Sequence, residues 1–134
     1  MVRDILLKHK EFYNKGFTRD MDFRINRLKK LKECIKKYER DILNALKADL
    51  GKPEFEGYAT EVGFILDSIG FTIKNLKKWA KVRKVKTPKH QLFAKSIIKN
   101  EPYGTVLIIG PFNYPFQLIM EPLLGAVAAG NTAV

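Results

Sequence analysis

A single uncharged amide stands at the centre of the segment GPFNYPFQ, which covers residues 110–117. Gly110, Pro111 and Pro115 surround Asn113 and are residue types that favour a tight turn. An asparagine amide offers two N–H donors and no net charge, so it can stabilise a developing oxyanion without forming an ion pair. The alternative is an asparagine that caps the next helix or hydrogen-bonds within its own turn. From the residues alone, both roles stay open.

The segments that flank this turn predict a strand and a helix. TVLIIG, residues 105–110, is short, apolar and β-branched, which is typical of a strand buried on both faces of a parallel sheet. A helix is predicted over about 115–129, with Pro122 expected to kink or split it. TAV at 132–134 then begins another strand. Ligands of parallel sheets bind beyond the carboxyl ends of the strands, and Asn113 is expected at such an end, just ahead of a helix N-terminus.

Three helices are predicted before this unit. Residues 2–15 form a short helix that Gly16 ends, and Thr18 is predicted to cap a long helix that stops at Gly51. Apolar residues recur along the long helix every three or four positions and describe one face: Ile25, Leu28, Leu31, Ile35, Tyr38, Ile42 and Leu46. A third helix over 54–81 shows the same spacing: Phe55, Tyr58, Val62, Ile65, Ile69, Ile73, Leu76 and Trp79.

The composition predicts a globular protein with a buried core. The 134 residues are 46% apolar, and no apolar run approaches the ~18 residues that a membrane span needs. No signal-peptide core is present, so the expected location is cytoplasmic. The net charge of +11 lies entirely in residues 1–90, which hold 23 Lys+Arg against 12 Asp+Glu. Such an excess can attract anionic partners, but a solvated helical surface is the favoured explanation.

The remaining reactive residue types are sparse and scattered. The single cysteine, Cys34, excludes an internal disulfide, and a packed thiol is expected for it beside the apolar face. No Cys/His cluster has the spacing of a metal site, and His9 and His90 stand alone. The basic run KVRKVKTPKH at 81–90 is predicted to be an exposed connector. It carries neither interleaved aromatic residues nor a nucleic-acid motif, so nucleic acid is not expected as a partner.

These observations predict an α/β fold. A helical N-terminal region leads into the first strand–helix–strand of a parallel sheet, which is incomplete in this chain because two strands do not make a stable sheet. We therefore expect the chain to be the front portion of a larger protein, or a truncated product of one. The expected units are N-terminal helices at 1–90, an edge or partner-seeking strand segment at 91–102 and a strand–helix–strand unit at 103–134. The dinucleotide fingerprint G-x-G-x-x-G is absent.

The block from 101 to 134, EPYGTVLIIGPFNYPFQLIMEPLLGAVAAGNTAV, resembles the first strand, turn and helix of the NAD(P)-dependent aldehyde dehydrogenase family. FYNKGFTRDMDFRINRLKKL and ALKADLGKPEFEGYATEV further resemble the class 3, or fatty-aldehyde-dehydrogenase-like, branch of that family. The resemblance extends over essentially the whole chain. It implies an aldehyde dehydrogenase-like fold with a Rossmann-like parallel sheet, an aldehyde substrate, NAD or NADP as cofactor and a homodimer as the full-length enzyme. It also implies that residues 1–90 are helices that pack on the nucleotide-binding domain, that 91–102 is an oligomerisation-type strand segment and that 103–134 begins the NAD(P)-binding domain. No membrane segment is expected in this chain.

The resemblance also implies roles for individual residues. Asn113 would be the oxyanion-hole amide that holds the aldehyde oxygen, and Tyr114 would border the substrate tunnel. The family's nucleophilic cysteine and glutamate base would lie outside this chain, so the 134 residues alone are expected to be inactive. Cys34 is no substitute for that nucleophile. Four consecutive residues would line the nicotinamide-ribose side of the cofactor site: Ile109, Gly110, Pro111 and Phe112, the last at a position where many members carry tryptophan.

Three other interpretations remain at this point. The charge of residues 1–90 is compatible with a basic helical module that binds nucleic acid or an anionic membrane surface, with affinity that falls steeply as salt is added. The segment 92–100 is compatible with a short paralogue that assembles with full-length subunits. An acyl-phosphate or acyl-CoA reductase would share the same architecture. The residues that would separate this last class from the aldehyde dehydrogenases lie beyond Val134.

Overall fold

The computed structural model describes residues 2–91 and 93–134, which form six α-helices and four short strands. The helices are α1 Val2–Asn14, α2 Met21–Lys37, α3 Glu39–Leu50, α4 Glu54–Gly57, α5 Gly63–Trp79 and α6 Gln117–Ala129. A 3₁₀ turn, Phe17–Arg19, precedes α2, and a π-helical turn, Tyr58–Val62, joins α4 to α5. The strands are β1 Arg83–Val85, β2 Ser96–Ile98, β3 Thr105–Val106 and β4 Thr132–Ala133.

Asp20 is the N-cap residue of α2, so the prediction that Thr18 caps this helix is wrong. The Asp20 carboxylate accepts a hydrogen bond from the Phe23 N–H at 2.6 Å, and its backbone is extended as a capping residue requires. Gly16 takes a left-handed conformation, φ 81°, and the 3₁₀ turn then occupies the next three residues. Thr18 lies buried inside that turn. The turn therefore moves the helix start by two residues.

The long second helix of the sequence prediction is two helices, because the chain breaks at Tyr38. Tyr38 has φ −102° and ψ 12°, outside the α-helical range, and the residue is 46% exposed and not part of the core. The break lets α3 pack on α4. The contact is close at Gly57, where an added Cβ would lie 3.2 Å from Leu43 Cδ2 and 3.5 Å from Leu46 Cδ1.

The core lies where α2, α5 and α6 meet. The predicted faces of the helices supply most of it, and the positions at the helix ends do not. Phe55 and Trp79 were expected on the buried face and are exposed, since Phe55 precedes the π-helical turn and Trp79 closes α5. The buried core residues are Leu28, Ile35, Leu43, Val62, Ile65, Leu66, Ile69, Leu76, Leu124 and Ala128.

Arg24 connects α2 to the end of α6. Its Nη1 donates to the Ala128 carbonyl at 3.0 Å, and its Nη2 donates to the Arg19 carbonyl at 2.9 Å. Burial lowers the pKa of the Arg24 guanidinium, and the nearby Asp20 carboxylate partly opposes that effect. The group stays charged because an arginine guanidinium is not deprotonated in proteins. The hydrogen bond from Arg24 to the Ala128 carbonyl therefore links α2 to α6, the helix that follows the Asn113 turn.

Cys34 is exposed on α2, so the prediction of a packed thiol is wrong. The adjacent Ile35 takes the inward position and is 3% exposed. Since successive residues of a helix lie about 100° apart, the two side chains cannot both face the core here.

None of the helices in residues 2–91 and 93–134 combines the length and the apolar character that a membrane crossing requires.

The strands form two separate pairs. β1 and β2 are antiparallel, with Arg83 opposite Ile98 and Val85 opposite Ser96, so the predicted connector at 81–90 contains a strand. β3 and β4 are parallel and are linked through α6, which confirms the predicted strand–helix–strand. Hydrogen bonding continues from the Ile108 N–H to the Val134 carbonyl at 2.9 Å. The fold is thus α/β, with a helical region that leads into the first unit of a parallel sheet.

Helix α6 runs without interruption through Pro122, so of the predicted kink or split the split does not occur. A proline at this position removes one hydrogen bond, the one to the Leu118 carbonyl. Leu118 is exposed, so water can satisfy that carbonyl in place of the missing donor. The helix ends at Gly130, whose φ of 89° is the left-handed conformation common at helix C-termini.

Alternate residues after β3 are exposed, so the segment TVLIIG is not buried on both faces by the described residues. Leu107 is 72% exposed and Ile109 is 83% exposed. Within the described residues, β4 is the sole neighbour of β3, and α1 packs against this pair. A strand in a two-stranded sheet lacks the second neighbour and the second covering layer that bury a central parallel strand. The described residues therefore leave part of the apolar surface of TVLIIG uncovered.

Candidate functional site

Asn113 lies in the turn between β3 and α6, at the carboxyl end of the parallel strand. The residue is exposed, and its side-chain amide makes no hydrogen bond to the described part of the chain. Asn113 does not cap α6. The N-cap residue of that helix is Phe116, whose side chain makes no capping hydrogen bond. The alternative roles that the sequence left open for the Asn113 side chain, a cap on the next helix or a hydrogen bond within its own turn, are therefore not adopted within the described residues. Within residues 2–91 and 93–134, the two N–H donors of the amide are left free for another molecule.

Glu61 satisfies the start of α6 in place of Asn113. It lies on the π-helical turn and is fully buried. Its Oε2 accepts hydrogen bonds from the Phe116 N–H at 2.9 Å and from the Gln117 N–H at 3.2 Å. A carboxylate here balances the positive end of the helix dipole and occupies two of the unpaired N–H groups.

Lys52 is the cation that pairs with this buried carboxylate. Its Nζ lies 2.5 Å from Glu61 Oε1, and it also donates to the backbone carbonyl of Asn113 at 3.0 Å. The same Nζ lies 3.7 Å from the centre of the Tyr114 ring. An ammonium has three N–H donors, and here two meet oxygen atoms while the aromatic face supplies the third partner. The lysine residue is only 8% exposed, so these partners replace almost all of its water.

Local backbone structure brings Lys52 into this position. Gly51 ends α3 with a left-handed φ of 67°, and Pro53 begins the next helical stretch. Lys52 lies between them, and its side chain reaches the backbone carbonyl of Asn113. The π-helical turn carries Glu61, which binds the same ammonium. Such turns occur mostly as single turns within α-helices and are frequent at functional sites.

Neither Lys52 nor Glu61 was expected in the site from the sequence, although the spacing of Glu61 carries a usable signal. Glu61, Ile65 and Ile69 are four residues apart, so a carboxylate continues the apolar stripe of α5. A charged residue in register with a buried face requires a partner. No comparable signal marks Lys52, which stands between a glycine and a proline in a predicted loop.

The residues expected to line a cofactor form an exposed strip beside Asn113. Ile109 and Phe112 are both more than four-fifths exposed, and Pro111 is exposed between them. Gly110 approaches α6 closely, since an added Cβ would overlap the Ile119 side chain. The strip presents apolar side chains and backbone without a charge, a surface that fits the flat face of a nicotinamide and its ribose. The apolar lining of the strip thus fits the nicotinamide end of the implied cofactor.

Tyr114 is half-buried, and its ring covers the Lys52 ammonium. Tyr114 is therefore part of the packing that supports the Asn113 turn. No group of three or more His, Cys, Asp or Glu side chains in residues 2–91 and 93–134 is arranged to hold a metal ion. The chemistry available at this site is hydrogen-bond donation to an oxygen atom beside an apolar platform.

Comparison with known proteins gives a consistent result. Residues 15–134 match the aldehyde dehydrogenase family. The chain is similar to a 4,4'-diaponeurosporen-aldehyde dehydrogenase of Staphylococcus aureus, with 58% identity over 125 residues that cover 93% of this chain and 27% of that protein. It is also similar to a dimeric NADP-preferring aldehyde dehydrogenase of Canis lupus familiaris, with 42% identity over 134 residues that cover 99% of this chain and 29% of that protein.

A solved structure agrees with the sequence matches. The substrate-bound state of Staphylococcus aureus AldH superposes with a TM-score of 0.97 at 55% identity, over 99% of this chain and 29% of that one. The chain therefore spans less than a third of the length of these relatives. Over that span the resemblance noted from the sequence is confirmed, and so is the fold.

Proposed function

The chain belongs to the aldehyde dehydrogenase family, and we propose from this that it forms part of an enzyme that oxidises aldehydes to carboxylic acids with NAD or NADP. One observation carries the proposal: the Asn113 amide is exposed at the carboxyl end of the first parallel strand and has no hydrogen-bond partner among the described residues. Ligands of such sheets bind at this edge. The relatives that the chain matches extend well beyond its 134 residues, so the proposed activity belongs to the complete protein that carries it.

Asn113 binds the aldehyde oxygen in this proposal. As a nucleophile adds to the carbonyl carbon, negative charge develops on that oxygen, and a fixed N–H donor stabilises the charge more than it stabilises the neutral carbonyl. A neutral amide is suited to this role because it does not hold the product carboxylate as a full ion pair would. The nucleophile and the general base are proposed to come from residues outside this chain.

Residues 109–112 hold the nicotinamide end of the cofactor in the same proposal. Ile109 and Phe112 supply apolar contact for the ring, and Gly110 lets the backbone approach α6 closely enough to shape the turn. When bound, the cofactor supplies the acceptor for the hydride that leaves the aldehyde carbon. The exposed strip excludes water from that transfer once the ring covers it.

A direct assay tests the proposed function. The complete protein that carries this chain should form reduced nicotinamide cofactor when it is supplied with NAD or NADP and a series of short to long aliphatic aldehydes. The aldehyde should be converted to the carboxylic acid without added coenzyme A or phosphate. A requirement for coenzyme A or phosphate would assign the protein to the acyl-transferring reductases, and turnover of no aldehyde with either cofactor would remove the proposal.

We further propose that the complete enzyme is a homodimer. The Canis lupus familiaris relative is described as dimeric, and the β1–β2 hairpin of this chain leaves apolar side chains on its surface. Ile97 and Ile98 are both substantially exposed on β2, whose outer edge is unpaired within the described residues. An exposed strand edge of this kind readily pairs with another chain.

Light scattering on the purified complete protein should give twice the monomer mass. Replacement of Ile97 by lysine should shift the mass towards the monomer, because a charge on an edge strand opposes pairing. Replacement of the exposed Val82, just before β1, by lysine serves as the control and should leave the dimer intact. A monomeric wild-type protein would contradict the proposal.

A further inference from the structure

We propose that the buried Lys52–Glu61 ion pair positions Asn113 for oxyanion binding, an inference that rests on the proposed function. Neither residue reaches the surface where the aldehyde oxygen would bind, so both are positioning residues. Together they hold the two ends of the segment 113–117. Lys52 binds the carbonyl oxygen of Asn113, and Glu61 binds the N–H groups of Phe116 and Gln117.

Each contact restricts the turn in a different way. The hydrogen bond from Lys52 to the Asn113 carbonyl fixes the peptide plane that follows the Asn113 Cα, and with it the direction in which the side chain leaves the backbone. The bonds from Glu61 fix the first residues of α6, which sets where the turn must end. Because Lys52 and Glu61 also bind each other at 2.5 Å, the two restraints act as one unit, which we call the Lys52–Glu61 clamp.

The energetics of buried ions indicate positioning as the role of this clamp. Taking two charges out of water costs several kcal/mol per ion, and replacing such a pair by apolar residues of similar volume is often neutral or stabilising. Stability alone therefore gives little reason for a lysine and a glutamate in the interior. A fixed pair does provide directional donors and acceptors, and an apolar pair cannot hold a carbonyl oxygen and two N–H groups at once.

A neutral replacement separates positioning from stability. The double variant Lys52→Met with Glu61→Gln removes both charges together, so no buried ion is left unpaired. The Glu61→Gln change keeps a side-chain oxygen that can accept from the N–H groups that begin α6. The donor to the Asn113 carbonyl is lost. The matched control is Lys15→Met with Glu11→Gln, the same pair of changes in an exposed ion pair at the end of α1.

The measurements are kcat and KM for aldehyde oxidation in the complete protein, the cofactor Kd and the thermal unfolding midpoint. The double variant should lower kcat by about 10- to 100-fold, the range expected when a reacting group is displaced by a fraction of an ångström to 1 Å. Its cofactor Kd should stay within about twofold of wild type, because the Lys52–Glu61 clamp does not touch residues 109–112. The control double variant should match wild type in every measurement.

A double-mutant cycle with Asn113→Ala then tests the route of the effect. If the Lys52–Glu61 clamp acts through the Asn113 amide, removing the clamp costs little activity once that amide is gone. An equal loss of kcat in the two backgrounds, or wild-type kcat in the Lys52→Met, Glu61→Gln variant, overturns the inference. If that variant does not fold, Lys52→Arg replaces it and is measured in the wild-type and the Asn113→Ala backgrounds. The same change in kcat in both backgrounds, or no change in either, overturns the inference.

Failure of this inference is distinct from failure of the proposed function. A complete protein that oxidises aldehydes and loses activity with Asn113→Ala, yet shows no coupling to the Lys52–Glu61 clamp, retains its function and loses only the positioning role. A complete wild-type protein that oxidises no aldehyde removes the proposed function, and the positioning role with it.

Discussion

Replacement of Asn113 by alanine should lower kcat/KM for aldehyde oxidation by about 10²–10³-fold in the complete protein, equivalent to ~2.7–4 kcal/mol. The amide is exposed and has no partner in the described chain, so its removal breaks no contact that the fold depends on. The loss should appear mainly in kcat, because the bond to the oxygen strengthens only as charge develops. Steady-state kinetics with the unfolding midpoint measured in parallel provide the test.

Two further variants make this test specific. Asn113→Asp keeps the shape of the side chain but replaces the two donors with a carboxylate, and it should be at least as inactive as the alanine variant. Asn26→Ala, which changes an exposed asparagine on α2, should keep wild-type kinetics. Wild-type turnover by the Asn113→Ala enzyme would mean that this amide does not bind the reacting oxygen.

Replacement of Leu28 by alanine should destabilise the protein by about 2–5 kcal/mol, the range for deleting a fully buried leucine side chain. Leu28 is 0% exposed and belongs to the core between α2, α5 and α6. Denaturant unfolding followed by far-ultraviolet circular dichroism measures the change.

Leu7 on α1 offers the matched control for this substitution. Leu7→Ala makes the same chemical change on an exposed helical surface, and surface substitutions usually stay within about 0.5 kcal/mol of wild type. A Leu28→Ala variant as stable as the Leu7→Ala variant would contradict the core that we describe.

Helical periodicity predicted most of the core, because apolar residues that recur every three or four positions lie on one face of a helix. Ile35, Ile65 and Ile69 were all expected inside and are at most 3% exposed. The errors fall where the repeat changes. Tyr38 lies at the break between α2 and α3, and Phe55 lies ahead of the π-helical turn, which adds a residue to one turn and shifts the phase of the face. Periodicity alone cannot locate such shifts.

Long-range contacts explain what else the sequence did not reveal. The turn around Asn113 was predictable because glycine and proline restrict the backbone locally. Lys52 and Glu61 could not be assigned to that turn from sequence, because the contacts join residues 55 to 61 positions apart along the chain. The burial of TVLIIG was overestimated for a related reason, since burial depends on neighbours that the local pattern does not specify.

The open side of β3 has a practical consequence for handling the isolated 134 residues. β3 is paired with β4 along one edge and, within the described residues, its other edge carries unpaired N–H and C=O groups next to the exposed Leu107 and Ile109. A flat apolar strand edge is a template for aggregation. Expressed alone and concentrated, these residues should stack edge to edge and precipitate, and a soluble fusion partner or co-expression with a segment that supplies the next strand should prevent it.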